Sequence, residues 1–494
     1  MDHVLALDQG SSSTRVVAFD ESGSSTALSQ RPLRTLRPAP GFVEHDPEEL
    51  ARGAEEALDT VLTTFPAAAG VAALGLSAQR STVVFWDART GKAAGRAPSW
   101  QDGRAADMLV PLQDRQRETH ERTGLYLTPY YSASKIRWML DNDPDVRRLA
   151  EAGTLRIGPV TSWLLWRLSG GTVFAADPTT AQRTLLLDLR TMDWDPELLK
   201  LFGVPREFLP AVRPTTGELC VLERGGRRIP VLAALGDQQA AAVGQGASAE
   251  GAGVLNYGTG AFFLLHTGAK AHRVPGILTS VALQKKSGAP QFFLEGTVHA
   301  AGTAYEWLKR NFGLLSDVRE ADRLCRESTE RIWSLQAIGG LGAPRWDYKT
   351  PTVLLGLSAR TKPADVVRGA TEAIAFLIAD CVAAVRAAGL EPRTLNASGG
   401  VARNDYLLQF QADILQKPVS RLKEGEATAL GAAYLAAEEA GLPWAGKLLE
   451  SGVDREFKPR MSADDAKRLS QAWTLFVETQ QKLGEDLRRL GVLS

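Results

Sequence analysis

Val4-Leu5-Ala6-Leu7-Asp8-Gln9-Gly10-Ser11-Ser12-Ser13-Thr14-Arg15-Val16-Val17-Ala18-Phe19, near the start of the chain, reads as strand, hydroxyl-rich turn, strand. A tight bend of that composition presents backbone N–H groups and hydroxyls to an anion. The pattern returns near the midpoint, where Gly253-Val254-Leu255-Asn256-Tyr257 leads through Gly258-Thr259-Gly260 into Ala261-Phe262-Phe263-Leu264-Leu265. One such turn is an ordinary hairpin feature. Two of them at matching places suggest a duplicated domain, with a polyphosphate held between the copies. Strand-like and helix-like segments alternate along the whole length without a Pro-rich or low-complexity linker, which argues for an α/β protein. The boundary falls at Gly246 to Gly251, giving domains 1–246 and 247–494.

Composition narrows the function classes. The 494 residues are 44% apolar, and Lys plus Arg balances Asp plus Glu at 57 each. No basic surplus exists to hold a nucleic-acid backbone or an anionic lipid surface, so neither nucleic acid nor membrane is expected as a partner. Cys220, Cys325 and Cys381 lie far apart and form no CxxC, which fits a reducing compartment and buried thiols, not a zinc site. The chain passes from Met1 into the strand-like Val4 to Leu7 with no export-type segment, so the expected location is cytoplasmic. The most apolar later run, Ala373 to Val385, is broken by Asp380 and reads as a buried helix.

Two nucleotide-motif look-alikes fail on context. Gly244-Gln245-Gly246-Ala247-Ser248-Ala249 follows a helix-like segment where a dinucleotide fingerprint requires a strand, and Thr90-Gly91-Lys92 lacks the upstream glycine of a P-loop.

Asp8-Gln9-Gly10-Ser11-Ser12-Ser13-Thr14-Arg15, Gly236-Asp237-Gln238-Gln239-Ala240-Ala241 and Gly339-Gly340-Leu341-Gly342-Ala343-Pro344 together resemble the FGGY carbohydrate kinases of the actin, Hsp70 and sugar-kinase superfamily. Gly41-Phe42-Val43-Glu44-His45-Asp46-Pro47, Trp100-Gln101-Asp102, Pro129-Tyr130-Tyr131-Ser132-Ala133-Ser134-Lys135 and the double glutamine after Asp237 are similar to the glycerol kinases within that family. The resemblance spans essentially the full chain. It implies two ribonuclease-H-like α/β domains flanking a catalytic cleft, with ATP and Mg²⁺ as cofactors and a small polyol or sugar as acceptor. Glycerol is the leading acceptor, and a homo-oligomer is compatible with the family.

The site residues follow position by position. Asp237 comes after the apolar run Val231 to Leu235 and before a helix-like segment, where α/β folds place their chemistry. Read alone it suits a helix N-cap; within the resemblance it is the catalytic base that takes the proton of the attacking alcohol. Asp8, whose plain reading is an Asx-turn, is matched to Mg²⁺ through water, with Asp237 as a further ligand. Ser11, Ser12 and Arg15 are matched to the transferred phosphate or its surroundings, Thr259 and Gly260 to the nucleotide phosphates, and Gly302 to a further nucleotide contact. Gly400 and Asn404, after the strand-like Thr394 to Ser398, are matched to adenine and its ribose. For the acceptor the matched residues are Arg80, Ser81, Trp100, Tyr130, Asp237, Gln238 and Phe262, a mixture of aromatic walls and directional polar groups that suits a polyol. Outside the family frame, the three aromatics read as core.

One position departs from the pattern. The glycerol kinases usually read Gln-Arg-Glu-Thr where this chain has Gln79-Arg80-Ser81-Thr82, so a carboxylate that receives acceptor hydroxyls is replaced by a shorter, uncharged group. Water could fill the space, or a longer acceptor such as erythritol, ribitol, xylulose or ribulose could enter it. A nucleotide-binding sensor without transferase activity is the reading from another class, and the presence of both Asp8 and Asp237 argues against it. His299 reads as a structural hydrogen-bonding residue. Arg224-Gly225-Gly226-Arg227-Arg228-Ile229-Pro230 partly resembles a sugar-bisphosphate regulatory loop, with Leu222 and Glu223 in place of its upstream glycines, and otherwise reads as a basic hairpin turn.

Overall fold

The opening stretch folds as two antiparallel strands, β1 (Asp2–Gln9) and β2 (Ser13–Phe19), in a register that sets Asp8 opposite Arg15. The computed structural model describes residues 2–65, 70–423, 425–450 and 452–493. With β3 (Ser25–Pro32), β4 (Gly70–Ala78), β5 (Thr216–Arg224) and β6 (Arg227–Gly236), these strands form a six-stranded sheet in the order β5-β6-β4-β1-β2-β3. The midpoint stretch begins a second sheet. It contains β7 (Ala252–Tyr257), β8 (Ala261–His266), β9 (Leu278–Leu283), β10 (Gln291–Val298), β11 (Thr394–Ser398), β12 (Val419–Leu422) and β13 (Val453–Phe457), ordered β9-β10-β8-β7-β11-β12-β13.

The two sheets share one plan. In the first, β1 is antiparallel to β2, β2 to β3, and β1-β4-β6 run parallel. In the second, β7 is antiparallel to β8, β8 to β10, and β7-β11-β12 run parallel. Each parallel set ends at an antiparallel edge strand, β5 or β13. The recurrence in the sequence is therefore a recurrence of topology.

Helices cover the sheets: α1 (Pro47–Thr64), α2 (Ser132–Asn142), α3 (Asp237–Gly244), α4 (Gly302–Phe312), α5 (Pro363–Ala387), α6 (Asp405–Leu415), α7 (Ala427–Glu439) and α8 (Ala463–Arg489). Helix α1 starts at Pro47 behind an Asp46 cap and buries Leu50, Ala54, Leu58 and Val61 against the first sheet at helical spacing. Helix α5 contains the apolar run Ala373 to Val385 and forms the centre of the second core, where Phe376 stacks on Trp473 of α8 at 4.9 Å. No described helix is long and apolar enough to cross a membrane.

Helix α7 crosses the division. It belongs to the second half of the chain, yet Ala429, Ala432, Ala433 and Ala436 pack on Val4, Ala6, Val17, Ala73 and Leu235 of the first sheet and on Ala240 and Val243 of α3. Glycines set the approach: a Cβ on Gly431 would lie 1.9 Å from the Ala240 carbonyl oxygen, and one on Gly244 would lie 2.0 Å from that of Ala427. The Arg224 to Pro230 segment is a hairpin turning at Gly225 and Gly226, both with positive φ, and its Arg224 pairs with Asp59 at 2.9 Å.

Candidate active site

Strand β6 ends at Gly236 and α3 begins at Asp237, at the C-terminal end of a parallel strand. The Thr179 hydroxyl accepts from Gly236 N at 2.8 Å and fixes that junction. Gly236, which has no side chain to offer, occupies the N-cap position, so Asp237 is not spent as a cap. Its Oδ1 accepts from Gln238 N at 2.8 Å, and 30% of its side chain is open to the cleft. Burial pushes its pKa up to about 6; Arg80 opposes this and Asp8 adds to it. Asp8 is buried at the end of β1, taking Arg15 at 2.9 Å and the Ser77 hydroxyl at 3.1 Å, and burial raises its pKa from the ordinary value against the pull of Arg15.

Arg80, just beyond β4, is buried, and its Nε lies 3.7 Å from Asp237 Oδ1 without a hydrogen-bond partner among the described residues. Its Nη1 and Nη2 donate to the two oxygens of Glu295 on β10, each at 3.3 Å. The same carboxylate receives Arg183, and Ser280 of β9 at 2.8 Å. Despite burial, the two guanidiniums hold Glu295 down to about 2. Ser81 is buried with φ +62°, a left-handed conformation that side chains adopt at a cost, and its Oγ has no partner among the described residues. The Ser132 hydroxyl at the start of α2 donates to the Ser81 carbonyl at 3.1 Å.

The aromatic wall stands beside these groups. The Trp100 and Tyr130 rings are 5.6 Å apart, and Trp100 Nε1 donates to Ser11 Oγ at 2.9 Å, joining the wall to the first phosphate-type turn. Lys135, fully buried on α2, donates to the carbonyls of Ser99 and Tyr130 at 2.8 Å each, so one ammonium holds both aromatic loops; burial lowers its pKa to about 7. Gln238 is partly exposed next to Asp237. Phe262, half-buried on β8, pairs with Thr297 two residues beyond Glu295 and so shares the sheet face that carries Glu295. The predicted acceptor residues Arg80, Ser81, Trp100, Tyr130, Asp237 and Gln238 thus gather at one place, with Phe262 on the opposing sheet.

Two turns border this site. In Gly10–Ser12, Gly10 N donates to Ser13 O at 2.9 Å, Ser12 is exposed at the tip, and Ser11 Oγ sits between Trp100 and Gln79 Oε1. In Gly258–Gly260, Gly258 N donates to Gly260 O at 2.9 Å and Thr259 is exposed at the tip. The Thr259 carbonyl receives Ala301 N and Thr303 N at 3.0 Å each, and Gly302 N donates to Gly258 O at 2.9 Å. Arg15 bridges the halves: besides Asp8 it pairs with Glu426, just before α7, at 2.5 Å. Next to Glu426 opens a cavity of about 660 Å³ whose lining includes Gln245, Gly399, Gly400, Arg421 and Leu430. Gly400 lines it. Asn404 turns elsewhere: its Oδ1 caps α6 through Leu407 N at 3.0 Å, and its Nδ2 donates to the Tyr305 hydroxyl at 3.4 Å. His299 is tied to the carbonyls of Gly339 and Gly340 at 3.1 and 3.0 Å.

Sequence reasoning passed over Glu295, Arg183, Lys135 and Glu426. Glu295 carried a signal, being the lone acid in the apolar strand Phe292 to Val298, where a buried charge demands a partner.

Comparison with known proteins agrees with this geometry. Residues 3–244 match the N-terminal domain of the FGGY family of carbohydrate kinases, and residues 253–440 match its C-terminal domain. The chain is 41% identical over 492 residues to a glycerol kinase of Thermus brockianus, covering 97% of this chain and 98% of that one. It is 39% identical over 487 residues to a glycerol kinase of Citrifermentans bemidjiense, covering 96% and 97%. The crystal structure of Plasmodium falciparum glycerol kinase with ADP superposes with a TM-score of 0.91 at 29% identity, over 97% of this chain and 98% of that one. Matching topology in both sheets, a carboxylate at the end of a parallel strand and these full-length likenesses lead to one assignment: the chain belongs to the FGGY family of carbohydrate kinases and has its two-domain mixed α/β fold.

Proposed function

We propose that this protein transfers the γ-phosphoryl group of ATP to a terminal hydroxyl of glycerol, giving glycerol 3-phosphate and ADP. The observation that carries the reading is the facing pair Arg80 Nε and Asp237 Oδ1, 3.7 Å apart, with Nε unpartnered among the described residues. An alcohol oxygen about 2.8 Å from each would accept from Nε and donate to the carboxylate. With a pKa near 6, Asp237 is ionised at neutral pH yet still a useful base. As the acceptor O–P bond forms and the bond from Pγ to the β,γ-bridging oxygen breaks, the alcohol proton passes to Asp237 and ADP leaves with the bond electrons. Tyr130 and Trp100 would pack on the CH face of the acceptor, with Phe262 opposite and Gln238 and Ser81 meeting hydroxyls.

The turns at Ser11, Ser12, Thr259 and Gly260, with Arg15, would surround the phosphates, and Gly302 would support the second turn. The purine would rest on Gly400 in the 660 Å³ cavity, while Asn404, its side chain spent on the α6 cap and Tyr305, would act only through the backbone it holds. No cluster of three or more His, Cys, Asp or Glu suited to a metal exists among the described residues. Two carboxylates, Asp8 and Asp237, fit Mg²⁺ carried with most of its waters and bound chiefly to the nucleotide, whose phosphate charge it would neutralise. We place the domain division at 246/247, the first domain reading the acceptor and the second the nucleotide.

A longer polyol or a ketopentose is the second reading, favoured by the buried, unpartnered Ser81 hydroxyl. An ADP-release assay over glycerol, erythritol, ribitol, xylulose and ribulose separates the two. Glycerol is expected to give the highest kcat/KM; absence of glycerol turnover at millimolar concentration, with turnover of another acceptor, would sink the first reading.

A further inference from the structure

Three charged groups from two halves of the chain meet out of water beside the base. Arg80 and Arg183 come from the first half, and Glu295 comes from the second sheet, each with no more than 3% of its side chain exposed. Burying a guanidinium is tolerable only when its donors are met, yet Nε of both arginines lacks a partner among the described residues. The Nη edge of Arg80 is taken up by Glu295 through two contacts of 3.3 Å, while its Nε edge faces Asp237 across 3.7 Å. An arginine and a carboxylate this close ordinarily form a two-bond fork. Here that fork is made with Glu295, and Asp237 is left out of it.

We propose that Glu295 is a positioning residue that holds Arg80 off the base. By engaging both Nη groups from the opposite sheet, it fixes the guanidinium edge-on to Asp237. That leaves Nε and Oδ1 3.7 Å apart and not hydrogen-bonded to each other, so that one acceptor oxygen beside the line joining them can reach both, and the Asp237 carboxylate stays unquenched. Arg183 and the Ser280 hydroxyl fix Glu295 in turn. Without the Glu295 charge, Arg80 turns its Nη groups onto Asp237 and fills the acceptor hydroxyl's place. The charged and titratable groups facing the cluster are Asp8, Asp237, Tyr130 and Tyr131. The two tyrosines stay protonated at neutral pH because burial raises them. The inference rests on Asp237 being the base of the proposed reaction.

The test is Glu295→Gln in the full-length chain, measured with the acceptor that the wild type turns over best. KM for the acceptor is expected to rise about tenfold or more while KM for ATP stays within about twofold, the loss being one oriented charge-assisted contact. Glu295→Asp should recover part of the acceptor KM. A crystal structure of Glu295→Gln should show an Arg80 Nη within about 3 Å of Asp237. An acceptor KM like that of the wild type, or Arg80 unmoved in that structure, overturns the proposal. If Glu295→Gln does not fold, Ser280→Ala, which removes one hydrogen bond and keeps all charges, should raise acceptor KM by less, and no shift overturns the proposal. Failure of the wild type to use glycerol counts against the proposed function alone, because the crystallographic readout needs no turnover.

Discussion

Gly10–Ser12 and Gly258–Gly260 join the corresponding strands of two sheets with one plan, yet they are held in different ways. The first is tied by side chains, with Ser11 Oγ between Trp100 and Gln79 and Arg15 folded onto Asp8. The second is tied by backbone, its carbonyls taking the first N–H groups of α4, and at Gly260 it has no room for a side chain: a Cβ there would come within 2.6 Å of Val298 O. A duplicated frame has been specialised. In the proposed reaction, side chains on the first side link the acceptor's place to the phosphate turn, and backbone on the second offers a fixed seat to the nucleotide phosphates. Substitutions that delete side-chain atoms should therefore hurt the first side, and substitutions that add them should hurt the second.

The largest expected effect tests whether chemistry sits wholly on the first side. Asp237→Asn should lower kcat about 10³-fold, within the range for loss of a general base, measured by ADP release. Its melting temperature should not fall. A carboxyl whose folded pKa is raised binds its proton more tightly folded than unfolded, so above about pH 6 its charge works against folding, and the amide removes that charge. A kcat loss below about tenfold would break the assignment of chemistry to the first side.

Next comes an added methyl on the second side. Gly302→Ala places a Cβ 2.8 Å from Gly258 O, so the turn must shift, and KM for ATP should rise about tenfold with kcat and acceptor KM little changed. A parallel rise in acceptor KM would mean that the two turns move together. The pH profile is a milder probe of the same asymmetry. kcat/KM for the acceptor should be level above about pH 7 and fall about tenfold between pH 7 and pH 5, as Asp237, with its pKa near 6, takes up a proton. The smallest effects compare the turns directly. Ser11→Ala should cost about fivefold in kcat through its link to Trp100, while Thr259→Ala, at an exposed tip held through its carbonyl, should stay within about twofold. Equal losses at the two positions would erase the distinction.

How much of this was legible depends on the distance over which each feature is decided. The two β-turn-β units are local: alternation of apolar residues, hydroxyl-rich bends and a repeat near the midpoint are enough to place them, and Asp237 at a strand-to-helix junction follows from the run before it. The Arg80–Glu295 fork joins residues 215 positions apart and exists only once the sheets face each other. Composition offered only an acid stranded among phenylalanines. Ser81 was readable as an unusual residue type, but its left-handed backbone, whose carbonyl receives the Ser132 hydroxyl 51 positions away, leaves no mark in the local sequence. Asn404 illustrates competition for one side chain: the residue that ends the Gly399–Gly400 turn also begins α6, and the helix takes its oxygen. Helix α7 was open to an earlier reading, since a segment of Ala and Gly with almost no polar face belongs between layers.

That helix has a consequence for the order in which the molecule is made. A ribosome completes the first sheet when it has read through Gly236, but the Ala-rich cover for Val4, Ala6, Val17 and Leu235 is not translated until residues 427–439. At about 5–20 residues per second, the gap is on the order of ten to forty seconds. Through that interval the nascent first half carries a bare apolar face. It cannot finish folding as a unit, and its last layer arrives only with the C-terminal part of the chain.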